Sequence, residues 1–129
     1  MGKLNLFICK KCGKIIELMP GSHGCPTMCC GEPMQELKAN SVDAAKEKHV
    51  PVIVKEGNKV TVSVGSVEHP MTEAHHIAYI ILVTDKEVRR HDFVYTDRPV
   101  YTFTVGEDEK VLEAYEFCNL HGLWVAKAE

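Results

Sequence analysis

The alternation of apolar and polar positions along this chain is that of strands. Leu4, Leu6 and Ile8 alternate with Lys3, Asn5 and Phe7, and Ile15, Ile16 and Leu18 suggest a second short strand. Val50, Val52 and Val54 alternate with Pro51, Ile53 and Lys55, and Gly57-Asn58 turns the chain into Val60, Val62 and Val64, which alternate with Thr61, Ser63 and Gly65. Residues 75–84 are apolar on both faces, with Ile77, Tyr79, Ile81 and Val83 on one and Ala78, Ile80 and Leu82 on the other, which predicts a central strand. Further strands are predicted at 87–95, 100–105, 111–118 and 123–127, with turns at Asp85-Lys86, Asp97-Arg98-Pro99 and Gly106-Glu107-Asp108. Seven short strands with turns at such intervals predict an all-β, immunoglobulin-like sandwich. No long helix is predicted. Residues 41–46 fit one helical turn, inside a polar segment, 38–48, that reads as a linker and mobile loop.

The pattern divides the chain into a small cysteine-bearing unit, 1–37, and a β unit, 38–129. The 129 residues are 45% hydrophobic and 26% charged, a globular balance. No apolar run approaches the roughly 18 residues of a membrane span. The apolar block before Cys9 is too short for a signal peptide and no cleavage site follows it, so a cytoplasmic protein is expected. A formal net charge of −3 argues against nucleic-acid binding through bulk charge. An anionic substrate would need a local positive patch.

Candidate chemistry changes this picture in two places. Cys9-x-x-Cys12-Gly13 is a metal knuckle, in which thiolates three residues apart grip one ion and the glycine allows the turn. Cys29 and Cys30 complete a four-sulfur set, which suits zinc or iron alike. A unit of this size cannot bury enough apolar surface to fold without a staple. Cys25 reads as a small side chain in the intervening loop. With no export signal and five of six cysteines in metal-like settings, disulfides are not expected.

The second place is Cys118-Asn119-Leu120-His121-Gly122, which turns a thiol and an imidazole together. His49, His69 and either His75 or His76 lie where strands begin or end; neighbours on a strand face opposite ways, and spacing alone does not choose between the last two. His23 and His91 fall among turn or charged residues and read as solvated. One thiolate with four imidazoles is too many ligands for a structural zinc and suits an iron with one open position.

Together these motifs resemble a known family. Cys9-x-x-Cys12 with Cys29-Cys30-Gly31-Glu32-Pro33-Met34 resembles desulforedoxin. Glu47-Lys48-His49-Val50-Pro51, His69-Pro70-Met71 with His75, and Cys118-Asn119-Leu120-His121-Gly122-Leu123-Trp124 resemble the catalytic domain of superoxide reductases. Over its whole length the chain is similar to the desulfoferrodoxins, two-iron superoxide reductases. The resemblance implies one iron on Cys9, Cys12, Cys29 and Cys30 and a catalytic iron on His49, His69, His75, His121 and Cys118, choosing His75 over His76. It implies one-electron reduction of superoxide to hydrogen peroxide with electrons from rubredoxin or a similar donor, in a homodimer. Lys48 is then the positive guide for the anion, and Glu47 resembles the carboxylate that fills the sixth position in the resting ferric state. The segment from Cys12 to Cys29 is one residue longer than usual, and Phe117 stands where tyrosine is common. Two other readings stand beside this one. A non-catalytic electron-transfer protein would not consume superoxide, and a zinc-binding interaction module would be colourless.

Overall fold

The computed structural model describes residues 4–128. The chain forms two compact units, Met1–Lys38 and Ala39–Glu129.

In the first unit, β1 (Leu6–Ile8) pairs antiparallel with β2 (Ile15–Glu17), placing Phe7 opposite Ile16. β3 (Met28–Cys29) and β4 (Glu32–Pro33) form a hairpin, and β5 (Gln35–Glu36) returns to the other edge of β1. The hairpin turns at Cys30 (φ 52°) and Gly31 (φ 77°). Two left-handed residues in succession give the tight turn whose twist suits a hairpin, and glycine takes the second place without strain. Only Leu6, Cys9 and Met34 are buried among the described residues of this unit. Such a core is far too small to hold five short strands by burial alone.

Among its described residues the second unit contains a short helix and seven strands. α1 (Lys46–His49) is a single turn, followed by β6 (Pro51–Glu56), β7 (Lys59–Val64), β8 (Ile77–Thr84), β9 (Val88–Asp92), β10 (Val100–Thr104), β11 (Val111–Cys118) and β12 (Gly122–Lys127). The strands make a three-stranded sheet, β10-β7-β6, and a four-stranded sheet, β12-β11-β8-β9, with every pair antiparallel. The inward positions Val60, Val62 and Val64 of the first sheet share one core with Ile77, Ile80, Leu82 and Ala114 of the second. β8 lies inside its sheet, and Ile81 and Val83 on its other face are buried too, which accounts for its doubly apolar pattern. Among the described residues no helix is long and apolar enough to cross a membrane.

The antiparallel pairing decides where the chemistry collects. Pro51 at the start of β6 faces Val64 at the end of β7, and Cys118 at the end of β11 faces both Ile77 and Gly122, which start β8 and β12. His49, His69, His75, Cys118 and His121 flank these five strand termini, so residues distant in sequence meet at one end of the unit.

The structure departs from the sequence pattern at three points. The helical turn lies at Lys46–His49 and not at 41–46. The polar segment is tied down: Asn40 N–H donates to the Leu123 carbonyl (2.8 Å), its side-chain amide donates to the Val125 carbonyl (3.3 Å), and its side-chain oxygen accepts from Val125 N–H (2.9 Å). His91 is half-buried, because its ring stacks on Tyr101 with centroids 3.6 Å apart.

A charged latch joins the two sheets at the other end of β8. The Glu109 carboxylate, 6% exposed, accepts from Arg89 (2.9 Å), the Thr84 hydroxyl (2.5 Å) and Gly106 N–H (3.0 Å), while Arg89 also donates to the Thr104 carbonyl. The Gly106 N–H and the Thr84 hydroxyl, with Arg89 beside them, hold the Glu109 carboxyl below its usual value of 4.5. A depressed folded-state pKa contributes stability that is present above the unfolded value and lost as pH falls through the folded one. Glu109→Gln is therefore expected to lower the thermal midpoint by a few degrees at pH 7. The gap to wild type should begin to narrow as pH drops below about 4.5, where the unfolded chain's carboxylate gains its proton, and close at lower pH as the native carboxylate gains its own. Thermal unfolding at pH 7 and pH 3 checks this, and an equal gap at both would show that the charge contributes nothing.

Candidate metal centres

In the first unit the sulfurs of Cys9, Cys12, Cys29 and Cys30 all lie within 4.8 Å of one another. The knuckle is closed by Gly13 N–H donating to the Cys9 carbonyl (2.8 Å), and the Cys30-Gly31 turn presents the adjacent pair to it. Cys12 N–H holds the Cys9 thiolate and brings its pKa down to about 7, while the thiols of Cys12 and Cys9 push Cys29 up to about 12. Four sulfurs this close lose all their protons only to a cation. Cys25 is exposed and outside the cluster, and all six cysteines are free thiols.

In the second unit four imidazoles form a closed square. Ring centroids of His49 and His69 are 4.7 Å apart, His69 and His75 4.7 Å, His75 and His121 5.2 Å, and His121 and His49 4.9 Å. Each ring stands edge-on to its neighbours, at 76° to 89°. His49 Nε2 lies 3.2 Å from both His69 Nε2 and His121 Nδ1. The Cys118 sulfur is 3.9 Å from His121 Nδ1. His76 points elsewhere, its Nδ1 facing the carbonyls of Thr72 and Glu73.

The protonation pattern suits a cation. His49 Nδ1 donates to the Ala45 carbonyl (2.8 Å) and His69 Nδ1 to the Pro70 carbonyl (2.7 Å), so each presents a bare Nε2 to the centre of the square. His75 Nε2 is buried without any hydrogen-bond partner. Burial, then nearby charges that include the Lys48 ammonium, lowers the pKa of His49 and His75, and burial takes His69 down to about 4. Neutral imidazoles with converging lone pairs repel one another until a cation accepts them. Cys118 is fully buried, and burial raises its thiol above the ordinary value. Its conversion to thiolate also calls for a metal. A mixed set of imidazoles and one thiol fits iron.

The supporting contacts were not legible as site residues in the sequence. Trp124 donates its indole N–H to the His121 carbonyl (3.1 Å) and stacks on His49 with centroids 5.1 Å apart. Asn119 accepts from His76 N–H (2.8 Å) and donates to the Ala74 carbonyl (3.0 Å), clamping the segment that carries His75. Glu116 is fully buried, neither carboxylate oxygen has a partner, and burial pushes its pKa to about 9. The available signal was a glutamate at an inward position, between Ala114 and Cys118 on β11. Glu47 and Lys48 are exposed on the α1 turn.

The sequence model of the desulfoferrodoxin family matches residues 41–127, the segment that holds the histidine square and Cys118. The chain belongs to the desulfoferrodoxin family. A desulfoferrodoxin homolog from Archaeoglobus fulgidus is 45% identical over 94% of this chain and 94% of its own length. A protein from Thermococcus kodakarensis named superoxide reductase is 43% identical, covering 65% of this chain and 88% of its own. The crystal structure of the superoxide reductase from Treponema pallidum aligns with a TM-score of 0.80 at 40% identity, covering 98% of this chain and all of that one. The chain is thus similar over nearly its full length to relatives carrying both names.

Proposed function

We propose that this member of the desulfoferrodoxin family reduces superoxide to hydrogen peroxide, by one electron per superoxide, at an iron held by His49, His69, His75, His121 and Cys118. The observation that carries the reading is the closed square of imidazoles with a buried thiol beside it. The names of the Thermococcus and Treponema relatives support it. A second iron on Cys9, Cys12, Cys29 and Cys30 belongs to the reading, which makes residues 1–37 a desulforedoxin-like domain and residues 38–129 a catalytic, immunoglobulin-like one. Rubredoxin or a similar small protein is the proposed electron donor, a homodimer the proposed assembly and the cytoplasm the proposed location, which suits six cysteines of which none forms a disulfide.

The four imidazoles and Cys118 would hold the iron, which would supply the single electron and a Lewis-acidic site for the anion. The protein supplies the rest. The carbonyls of Ala45 and Pro70 hold the His49 and His69 tautomers, so that these imidazoles would bind a cation as neutral donors and leave its charge uncancelled. Cys118, once deprotonated, donates electron density that favours the oxidised state. The Lys48 ammonium draws the anion in and donates to the product oxygen. Glu47, exposed on the same turn, is the carboxylate that would be available as a further ligand to the oxidised iron.

The deciding assay supplies superoxide to the reduced protein. Loss of superoxide with peroxide formed, no dioxygen evolved and the donor oxidised is the expected result. Dismutation, or no reaction, would refute it. Lys48→Ile should slow the bimolecular reaction of the reduced protein with superoxide by about tenfold or more, since the chain's net charge of −3 opposes an anion and local steering must overcome it. Iron content should not change, and the salt dependence should flatten because the screened charge is gone. Stopped-flow rates at two ionic strengths check this.

A further inference from the structure

We propose that Gly65 is a positioning residue for Lys48, because only a residue without a side chain lets the turn of residues 65–67 carry the backbone of Glu47 and Lys48. The proposal rests on the reading of Lys48 as the guide for the anion. Gly65 is buried. A Cβ at this position would stand 2.3 Å from the Glu47 carbonyl oxygen, 2.7 Å from the Lys48 carbonyl carbon and 2.9 Å from the Glu47 carbonyl carbon. All three are backbone atoms, so no flexible side chain can move aside. Gly65 does not adopt the left-handed backbone found at Gly57 or Gly122, so what it contributes is room and not a special φ.

The contact is held from both directions. The Glu47 carbonyl accepts from Val67 N–H (2.8 Å) and from the Ser66 hydroxyl (3.3 Å). Within α1, Lys48 N–H donates to the Ala45 carbonyl (3.2 Å) and Val50 N–H to the Lys46 carbonyl (2.9 Å). The turn after β7 therefore grips the one carbonyl that lies between the Glu47 and Lys48 side chains. It also leads into His69, whose N–H donates to the Val64 carbonyl (3.1 Å). A long, flexible lysine needs a fixed root if its charge is to be focused on one point. Displacing a positioned group by about 1 Å can cost up to roughly 100-fold in rate.

The test uses the iron-loaded full-length chain as Gly65→Ala, Lys48→Ile and the double variant. Gly65→Ala should keep its iron and visible spectrum. Hydrogen exchange at the Val67 amide should accelerate roughly tenfold or more, since the Glu47 carbonyl is pushed out of reach. Reaction with superoxide should slow by about tenfold, and the double variant should be no slower than Lys48→Ile, because both act through one group. Val67 exchange at the wild-type rate, or rate losses that multiply in the double variant, would overturn the proposal. A normal Lys48→Ile rate beside a slow Gly65→Ala would instead refute the guiding role of Lys48, and with it the route assigned to Gly65. Should Gly65→Ala fail to hold iron, Ser66→Ala decides. It should speed Val67 exchange and slow the reaction in the wild-type background only, and no change in either would overturn the proposal.

Discussion

Replacing Cys118 by serine is expected to abolish superoxide turnover. The side chain is fully buried at the last position of β11, paired across to Gly122 and Ile77, so the substitution leaves the pairing of the strand untouched. What changes is the donor. A hydroxyl is harder than a thiol and gives up its proton far less readily, and burial already raises the thiol here. Serine would therefore leave the four imidazoles with a neutral fifth neighbour in place of an anionic one. Loss of an outer partner of a metal ligand typically costs 10- to 100-fold in affinity or activity. Loss of the thiolate itself should exceed about 100-fold, with the iron lost or its visible band abolished. Metal content, the visible spectrum and the rate with superoxide read this together. Activity within about twofold of wild type would show that Cys118 is not a ligand.

Replacing Cys30 by serine should act on the other unit. Cys30 occupies a left-handed turn position and brings the fourth sulfur to the cluster. Without it the four-sulfur iron and its colour should disappear. With only Leu6, Cys9 and Met34 buried among its described residues, the unit then lacks what it needs to stay folded, so residues 4–38 should become protease-sensitive. The histidine site draws all its donors from the second unit, and its first reaction with superoxide should survive. Metal analysis, limited proteolysis and pre-steady-state kinetics separate these effects. An intact four-sulfur spectrum would remove Cys30 from the set, and complete loss of activity with the second iron in place would sink the separation of roles.

Strand content was legible because alternation is a local property. Val111–Cys118 matches its sequence reading from end to end, and the doubly apolar run before Thr84 reads correctly as an interior strand. The donor residues were legible because thiols and imidazoles at turns are chemically rare. The rest depends on partners distant in sequence. The helical turn falls at Lys46–His49 because the 65–67 turn receives the Glu47 carbonyl there, which no local propensity at 41–46 reveals. His91 is a charged-strand histidine until Tyr101 comes alongside it. Trp124 acquires its meaning from β12 placing it against His49 and the His121 carbonyl, Glu116 from a β11 position that buries its carboxylate without a partner, and Gly65 from a backbone that approaches it across eighteen positions of sequence.

The amide of Asn40 has a consequence for solubility. β12 is an outer strand of its sheet, and an outer strand with free N–H and carbonyl groups is a template for strands of other molecules. At Val125 both of those groups are already taken by one side chain, and at Leu123 the carbonyl is taken by Asn40 N–H. Asn40 tolerates the left-handed backbone this requires (φ 58°), as asparagine does more readily than most residues. A single residue imitates a neighbouring strand and closes the middle of that edge to self-association. The chain can thus expose a sheet margin without inviting fibre-like growth.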